Sequence, residues 1–569
     1  MAETFDVVVV GSGSGALTAA MRARDNGLSV VVLEKELKYG GTSATSAGFM
    51  WIPNHGLPGS EGDSREKALT YLNSVTPNAR PERIEAFVDN GPAMIHYLVS
   101  KGVKLGPVVG YPDYFPEAPG AHPGRGVVPR AMDGKTLGNN FHTLREQTVK
   151  FKLFTRYSVE VEEGGVLGMR APGWQKLLAR ILWNFWSDIP WRLSTKRDRR
   201  LTLGTALIGG MRRALDAQGV EVRLGHAIVA LHRENGGRVT GVEAVHNGRR
   251  KTIAARHGVI IAAGGFEQSQ EMRDKYWEFP GTPRVSASPP GGNTGVVTRA
   301  AIAIGAATEL MDQAWWNPTL VMPSIAIPGA EVTDPVTYDF SRPHSLCVNH
   351  NGDRFVNEGS PYDVFGKAMI DDARKTGANI PCWIIFDANY RAKFALSMLW
   401  PTILLPDSRV PKAWWDTYFY RADSIAALAA KIEVNPDNLA NSVARMNDFA
   451  RTGIDTDFKR GASIYDRYPG DPNIRPNPAL GPIDKPPYYA ARVELGDIGT
   501  KGGLKADTYA RVLDTNDQPI PGLYAVGNAS GACFGNCYPG AGGTIGPATT
   551  YGFIAANHIA GAAKSADVQ

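Results

Sequence analysis

Cysteine is scarce: four in 569 residues, Cys347, Cys382, Cys533 and Cys537. That is too few for a disulfide framework, and none is spaced with histidine as a metal site requires. No metal is expected, and free thiols in a reducing compartment are. Long apolar runs are missing as well. No stretch approaches the roughly 18 residues that a membrane-spanning helix needs. Charge of one sign is also lacking, since 61 Lys plus Arg face 56 Asp plus Glu, a formal net charge of +5. With no basic stripe interleaved with aromatics, no nucleic-acid partner is expected. The start, Met1-Ala2-Glu3-Thr4-Phe5-Asp6, has no basic flank and no apolar core of a secretory signal. The expectation is a cytoplasmic protein. Internal repeats and low-complexity tracts are absent. A chain this long exceeds one core, so two domains are expected, with three the alternative.

What is present begins at once. Phe5 to Val10 reads Phe-Asp-Val-Val-Val-Val, a β-branched run without polar alternation. That suits a strand buried on both faces of a parallel sheet. Gly11-Ser12-Gly13-Ser14-Gly15-Ala16 follows, then Ala19, Ala20 and Met21 at helical spacing. Glycines there permit a tight turn and close approach of a pyrophosphate, and the helix N-terminus offers free N–H groups to an anion. A second buried run, Leu28 to Leu33, ends in Glu34 and Lys35. An acid at that tip is placed to hold ribose hydroxyls. Gly40-Gly41-Thr42-Ser43, with Ser46, Ala47 and Gly48 just beyond, is small and hydroxyl-rich enough to line a phosphate and a flat ring. The chain therefore opens with a dinucleotide site.

Two later strands end in glycine. Gly258 to Phe266 carries Ala263 and Gly264, and Gly522 to Ser530 carries Gly527 and Asn528. Ile228, on a strand near Ala227–Arg233, is counted with the same wall. The fold class expected is α/β. A Rossmann-like dinucleotide domain, residues 1–275 and 490–569, is interrupted by an inserted α+β substrate domain at 276–489. Within the insert, Asn349 to Glu358 reads as a hairpin turn leading into a strand. Residues 105 to 145 read as a long ordered loop, which is usually functional. Residues 150–200 form a tryptophan-rich insertion. Gly173 to Trp186 is an amphipathic helix, followed by Pro190-Trp191-Arg192 and Lys196-Arg197-Asp198-Arg199-Arg200. Aromatics beside a basic flank suit a helix lying in a membrane interface. A subunit contact or a lid on the substrate mouth is the alternative.

A glycine strand at each end and an insertion between resembles the fumarate reductase and succinate dehydrogenase flavoprotein superfamily, which implies FAD. Within it the chain looks most like the 3-ketosteroid Δ1-dehydrogenases. Three stretches carry the likeness: Tyr111-Pro112-Asp113-Tyr114-Phe115-Pro116-Glu117, Asn357 to Asp363, and Tyr538-Pro539-Gly540-Ala541-Gly542-Gly543-Thr544-Ile545-Gly546-Pro547. The resemblance implies that Tyr538 and the Gly542 N–H polarise a C3 ketone, that Tyr362 removes the C2 proton, and that Tyr114 eases its ionisation. Tyr111 competes for the Tyr114 role. Gly543, Thr544 and Ile545 then belong to the FAD wall. A quinone or another acceptor is the expected partner of the reduced cofactor.

The chemistry supports the same set. A ketone whose neighbouring carbon loses a proton needs an oxyanion hole and a base. A phenol and an N–H four residues later can converge on one oxygen. A free phenol, with a pKa of about 10, is a poor base unaided, hence the expectation of a second tyrosine beside Tyr362. The rivals are a 4(5)-dehydrogenase and a dicarboxylate reductase, for which Arg354 and His344 are the available cations. The long insertion suggests a lipophilic steroid drawn from the inner face of the cell membrane.

Overall fold

The computed structural model describes residues 3–566 apart from 154–155, 169–170, 236, 325–330 and 337. Glu3–Val10 lies inside an eight-stranded sheet, parallel to Val30–Leu33 on one side and to Arg249–Ile261 on the other. Glu221–Arg223 extends the sheet beyond Val30–Leu33. Pro519–Ala525 pairs in parallel with the end of Arg249–Ile261, while the start of that strand pairs antiparallel with Val239–His246. The period of two divides the valine runs between both faces. Val7, Val9, Val30 and Val32 pack into one core, and Val8, Val10, Val31 and Leu33 into another.

On the first of these faces Ser14–Asp25 lies against Ile545–Ala566, so the chain's two ends meet. The contact is close because both helices carry glycine there. A Cβ on Gly15 would stand 2.7 Å from the Ala548 carbonyl oxygen, and one on Gly552 would stand 2.4 Å from that of Gly15.

The insert is built on a six-stranded antiparallel sheet. Its order is Glu331–Pro335, Ala314–Pro323, Tyr488–Thr500, Cys382–Phe386, Ser345–Val348, with Phe419–Ala422 also on Tyr488–Thr500. The strand Tyr488–Thr500 straddles position 490 and runs wholly in this sheet. Conversely, the helix Val296–Ala303 buries Val297 and Ala301 in the nucleotide-side core. Tyr362–Thr376 packs on Ala314–Pro323, with Gly366 against Trp316. Asn349–Glu358 does not lead into a strand; the chain goes on through turns to the helix Tyr362–Thr376. That segment stays in turns because Arg354 folds back on Glu358 at 2.8 Å and on Asp455 at 2.9 Å, both buried.

The tryptophan-rich stretch forms two helices, Trp174–Ser187 and Ile189–Ser194. Ile181 and Phe185 pack inward on Tyr157. Trp183, Trp186, Ile189 and Leu193 face out, 74%, 63%, 57% and 84% exposed. No helix among the described residues is long and apolar enough to cross a membrane.

Candidate active site

One cavity of about 750 Å³ runs between the two sheets. At one end it is lined by Gly11, Ser12, Gly13, Ser14, Gly15, Ala16, Glu34, Lys35, Ile228, Ala263 and Gly264. Gly41, Thr42, Ser43, Ser46, Ala47 and Gly48 continue the wall, as do Gly527, Asn528, Thr544 and Ile545. Tyr114, Tyr362, Tyr538 and Gly542 complete it. Gly40 and Gly543 stand behind the wall. Gly40 donates its N–H to Ser12 at 2.9 Å, and Gly543 lies under the Tyr538 ring.

At the nucleotide end the acid is organised from the glycine turn. Ser12 Oγ donates to the buried Glu34 carboxylate at 2.5 Å, and the Glu36 N–H adds a second bond at 2.9 Å. Burial pushes the Glu34 carboxyl up, against the pull of these bonds. Lys35 turns away, donating to the Gly291 carbonyl at 2.6 Å. The Asn293 amide donates to Thr42 at 3.0 Å and to Glu267 at 2.5 Å. Asn293 and Glu267 were not legible as site residues in the sequence, because one loop asparagine and one acid carry no spacing signal.

At the other end three tyrosines from distant segments converge. Ring centroids are 5.3 Å apart for Tyr362 and Tyr538, 5.3 Å for Tyr114 and Tyr538, and 5.8 Å for Tyr114 and Tyr362. Tyr362, Thr544 and the Gly542 N–H each pull the Tyr538 phenol down, against burial. Each partner is fixed from behind. Tyr114 donates its N–H to the Pro539 carbonyl at 3.1 Å, and the Tyr71 hydroxyl donates to the same oxygen at 2.6 Å. Upstream, Asp113 receives Trp51 Nε1 at 2.8 Å and pairs with Arg125 at 2.8 Å; Arg125 also pairs with Asp63 at 2.7 Å. Tyr362 is the first residue of its helix, after Pro361. Gly542 has φ +94, and a Cβ there would sit 2.5 Å from the Phe49 carbonyl. Only glycine presents its N–H at that point without displacing the strand beneath.

Burial raises the pKa of all three phenols, and for Tyr114 and Tyr362 to well above the usual value. Contact with Tyr114 pulls Tyr362 back down, the direction expected from the sequence, but burial outweighs it. Tyr111 bonds Tyr338 instead, so it is Tyr114 that touches Tyr362. Trp315 packs on Tyr538 in a tilted pair, ring centroids 4.9 Å apart, and points its indole N–H at Asn528, 3.3 Å away. Arg354 is spent on carboxylates, and His344 is hydrogen-bonded to the Pro482 carbonyl at 2.7 Å. Neither lines the cavity. Among the described residues no cluster of His, Cys, Asp and Glu could hold a metal.

The cleft fits a dinucleotide bearing a flat ring. A Cβ on Gly13 would meet no protein atom closer than 3.4 Å, and one on Gly41 none closer than 4.0 Å. Both line the cavity, so their missing side chains leave a cradle open. The helix Ile545–Ala566 begins on the same wall, where its positive end favours negative charge. Fold and cleft together define a flavoprotein.

Comparison with known proteins agrees. Residues 6–545 match the family model described as "FAD binding domain". The 3-oxosteroid 1-dehydrogenase of Mycobacterium tuberculosis is 39% identical, over 98% of each chain. The 4-oxocyclohexanecarboxylate 2-dehydrogenase of Sinomonas cyclohexanicum is 35% identical, over 99% of this chain and 94% of that one. The crystal structure of the 3-ketosteroid Δ1-dehydrogenase of Sterolibacterium denitrificans, in complex with 1,4-androstadiene-3,17-dione, superposes with a TM-score of 0.94. It is 42% identical over 98% of this chain and 100% of that chain. The chain belongs to the FAD-binding flavoprotein family and, within it, to the 3-oxosteroid 1-dehydrogenases.

Proposed function

We propose that this chain is an FAD-dependent enzyme that introduces the 1,2 double bond into 3-ketosteroids. The observation that carries the reading is the convergence of Tyr538, Gly542, Tyr362 and Tyr114 at one end of the dinucleotide cleft. FAD, held by the glycine turn, Glu34, the 40–48 loop and Asn528, supplies when bound a two-electron acceptor for the hydrogen that leaves C1 with its electron pair. The protein's own groups do the rest. Tyr538 and the Gly542 N–H donate to the C3 oxygen and hold the charge that develops there. Tyr362 accepts the C2 proton. Tyr114 stabilises the Tyr362 phenolate by hydrogen bonding. The apolar walls of Phe49, Ile498 and Trp315 exclude water from the phenols.

Anaerobic mixing of the holoprotein with a 3-ketosteroid should bleach the flavin bands and yield the 1,2-ene. A 4,5-ene product would transfer the assignment to a 4(5)-dehydrogenase. Dicarboxylate reduction finds no support, since no arginine–histidine set lies beside the tyrosines. A one-ring 4-oxocyclohexanecarboxylate would fill little of a cavity that continues past the tyrosines to the 150–200 insertion.

The same reading includes a location. Trp183, Trp186, Ile189 and Leu193 form an exposed apolar face, with Lys176, Arg180 and Arg192 on the same helices. Val161, Gly164 and Gly165 of the insertion line the cavity. The insertion therefore rests on the inner face of the cell membrane and feeds a lipophilic steroid to the cleft, with a membrane quinone as acceptor. Flotation with anionic liposomes tests it. Replacing Trp183, Trp186 and Leu193 by serine should abolish flotation and leave turnover of a soluble steroid intact. Unchanged flotation would refute the membrane role.

A further inference from the structure

Buried arginines in this chain are paired. Arg83, Arg125, Arg212, Arg273, Arg391 and Arg460 each face a carboxylate oxygen, at distances from 2.7 to 3.3 Å. Arg342, half-buried where it meets the cavity, has no such partner. It lines the cavity, and its one side-chain hydrogen bond is to the Pro469 carbonyl. No carboxylate of the described residues forms an ion pair with it. Asp339, on the same wall, acts on it electrostatically without forming an ion pair. The Phe394 ring lies 5.4 Å from its guanidinium carbon, and the Gly168 end of the insertion helix Val161–Gly168 closes over it. Lys150, on the same wall, is already paired with Asp334 at 2.5 Å. Asp339 also lines the cavity; burial pushes its carboxyl up, against the pull of Lys150 and Arg342. Glu160 is 3.5 Å from Arg200.

Contacts give the direction from the reacting end. Tyr114 touches Tyr538 and Tyr465, and Tyr111 touches Tyr338 and Tyr468. Arg342 follows, bonded to the residue after Tyr468. A ketone held at Tyr538 thus leaves the opposite end of an elongated substrate beside a half-buried cation that has no ion-pair partner among the described residues. A guanidinium on the cavity wall without an ion-pair partner leaves donors free for an incoming carboxylate, which would form a charge-assisted bond with it.

We propose that Arg342 is a specificity-determining residue that binds the carboxylate at the end of a steroid's C17 side chain, making side-chain acids of 3-ketosteroids preferred substrates. This rests on the steroid reading above and names the substrate class within it.

The test uses the holoprotein and three 3-ketosteroids: a 17-ketone, a side-chain carboxylic acid, and the methyl ester of that acid. Affinity is read by equilibrium titration of the flavin spectrum, and turnover by kcat/KM. The wild type should bind the acid about tenfold more tightly than its ester, the worth of a charged hydrogen bond. Arg342→Gln should erase that difference and leave the 17-ketone within about twofold, while Arg342→Lys should restore part of it. An ester that binds the wild type as tightly as the acid overturns the proposal, whatever the variants do. So does an acid preference that survives in Arg342→Gln. Failure of the wild type to oxidise even the 17-ketone would instead refute the steroid reading.

Discussion

Replacing Tyr538 by phenylalanine isolates one hydroxyl. The ring is held by Trp315 at 4.9 Å, by Tyr362 and Tyr114 at 5.3 Å, and by Gly543 beneath it, so its packing survives. What is lost is the phenolic donor proposed for the C3 oxygen. Removing one preorganised oxyanion donor costs about 2.7–4 kcal/mol, or roughly 100- to 1000-fold in kcat. Tyr538 is 3% exposed and its partner donor, the Gly542 N–H, is held by close packing on Phe49, which places the loss toward the upper end. The assay is the rate of anaerobic flavin bleaching by a 3-ketosteroid in single turnover, which isolates chemistry from reoxidation. Flavin content and Tm should match the wild type within experimental scatter, because the removed hydroxyl faces the cavity. A bleaching rate within about threefold of wild type, roughly 0.7 kcal/mol by the transition-state relation, would refute the assignment of Tyr538 to the oxyanion hole. The whole proton-abstraction scheme would fall with it.

Gly542→Ala should hold the variant Cβ against the Phe49 carbonyl, 2.5 Å away as built. The expected result is loss of activity comparable to Tyr538→Phe together with a lowered Tm, and full activity would count against the close packing. Because burial raises Tyr362 above its free value, the single-turnover rate should climb with pH and reach no plateau below about pH 10, the free phenol value. Tyr114→Phe removes a contact that lowers Tyr362, so its profile should move to higher pH still; a shift to lower pH would contradict the pairing. Arg125→Met leaves Asp63 and Asp113 buried and unpaired, a loss of about 3–5 kcal/mol. A denaturant midpoint equal to wild type would show that the network does not brace the Tyr114 loop.

Much of the nucleotide half was legible in the sequence because local signals suffice there. A buried valine run, a glycine turn and an acid after the next run specify strand, helix and strand with little help from the rest of the chain. The tyrosine cluster was legible only through likeness of motif. Tyr114, Tyr362 and Tyr538 lie on a loop, at a helix start and beside a turn, and no periodicity links them. The run from Asn349 to Glu358 misled for the opposite reason. Its turn residues before Phe355-Val356 read as a hairpin turn leading into a strand, but Arg354, Glu358 and Asp455 form a buried ion network that no local pattern announces. Asn293, Glu267 and Arg342 were silent as well. Each matters through what is missing around it or what crosses the domain junction, and neither is written in neighbouring residues.

The segment 538–548 explains why the cofactor cleft and the reacting end cannot be separated. In the proposed mechanism Tyr538 and Gly542 supply the two donors, and Thr544 pulls the Tyr538 phenol down against burial. Ile545 then starts the helix that packs on Ser14–Asp25 through Gly15 and Ala548. Eleven residues thereby join the oxyanion hole to the helix that follows the glycine turn. A shift at the Gly15 crossing must be transmitted to Gly542 because little in between can give: a Cβ at Gly546 would stand 2.5 Å from the Trp51 carbonyl oxygen. Gly15→Ala tests this coupling. A residue that never touches the steroid should then lose turnover as well as flavin affinity, with the two losses unequal. Saturating the variant with FAD should restore flavin content but leave single-turnover bleaching slow. Full recovery of the rate on saturation would show that the two ends of the cleft work independently.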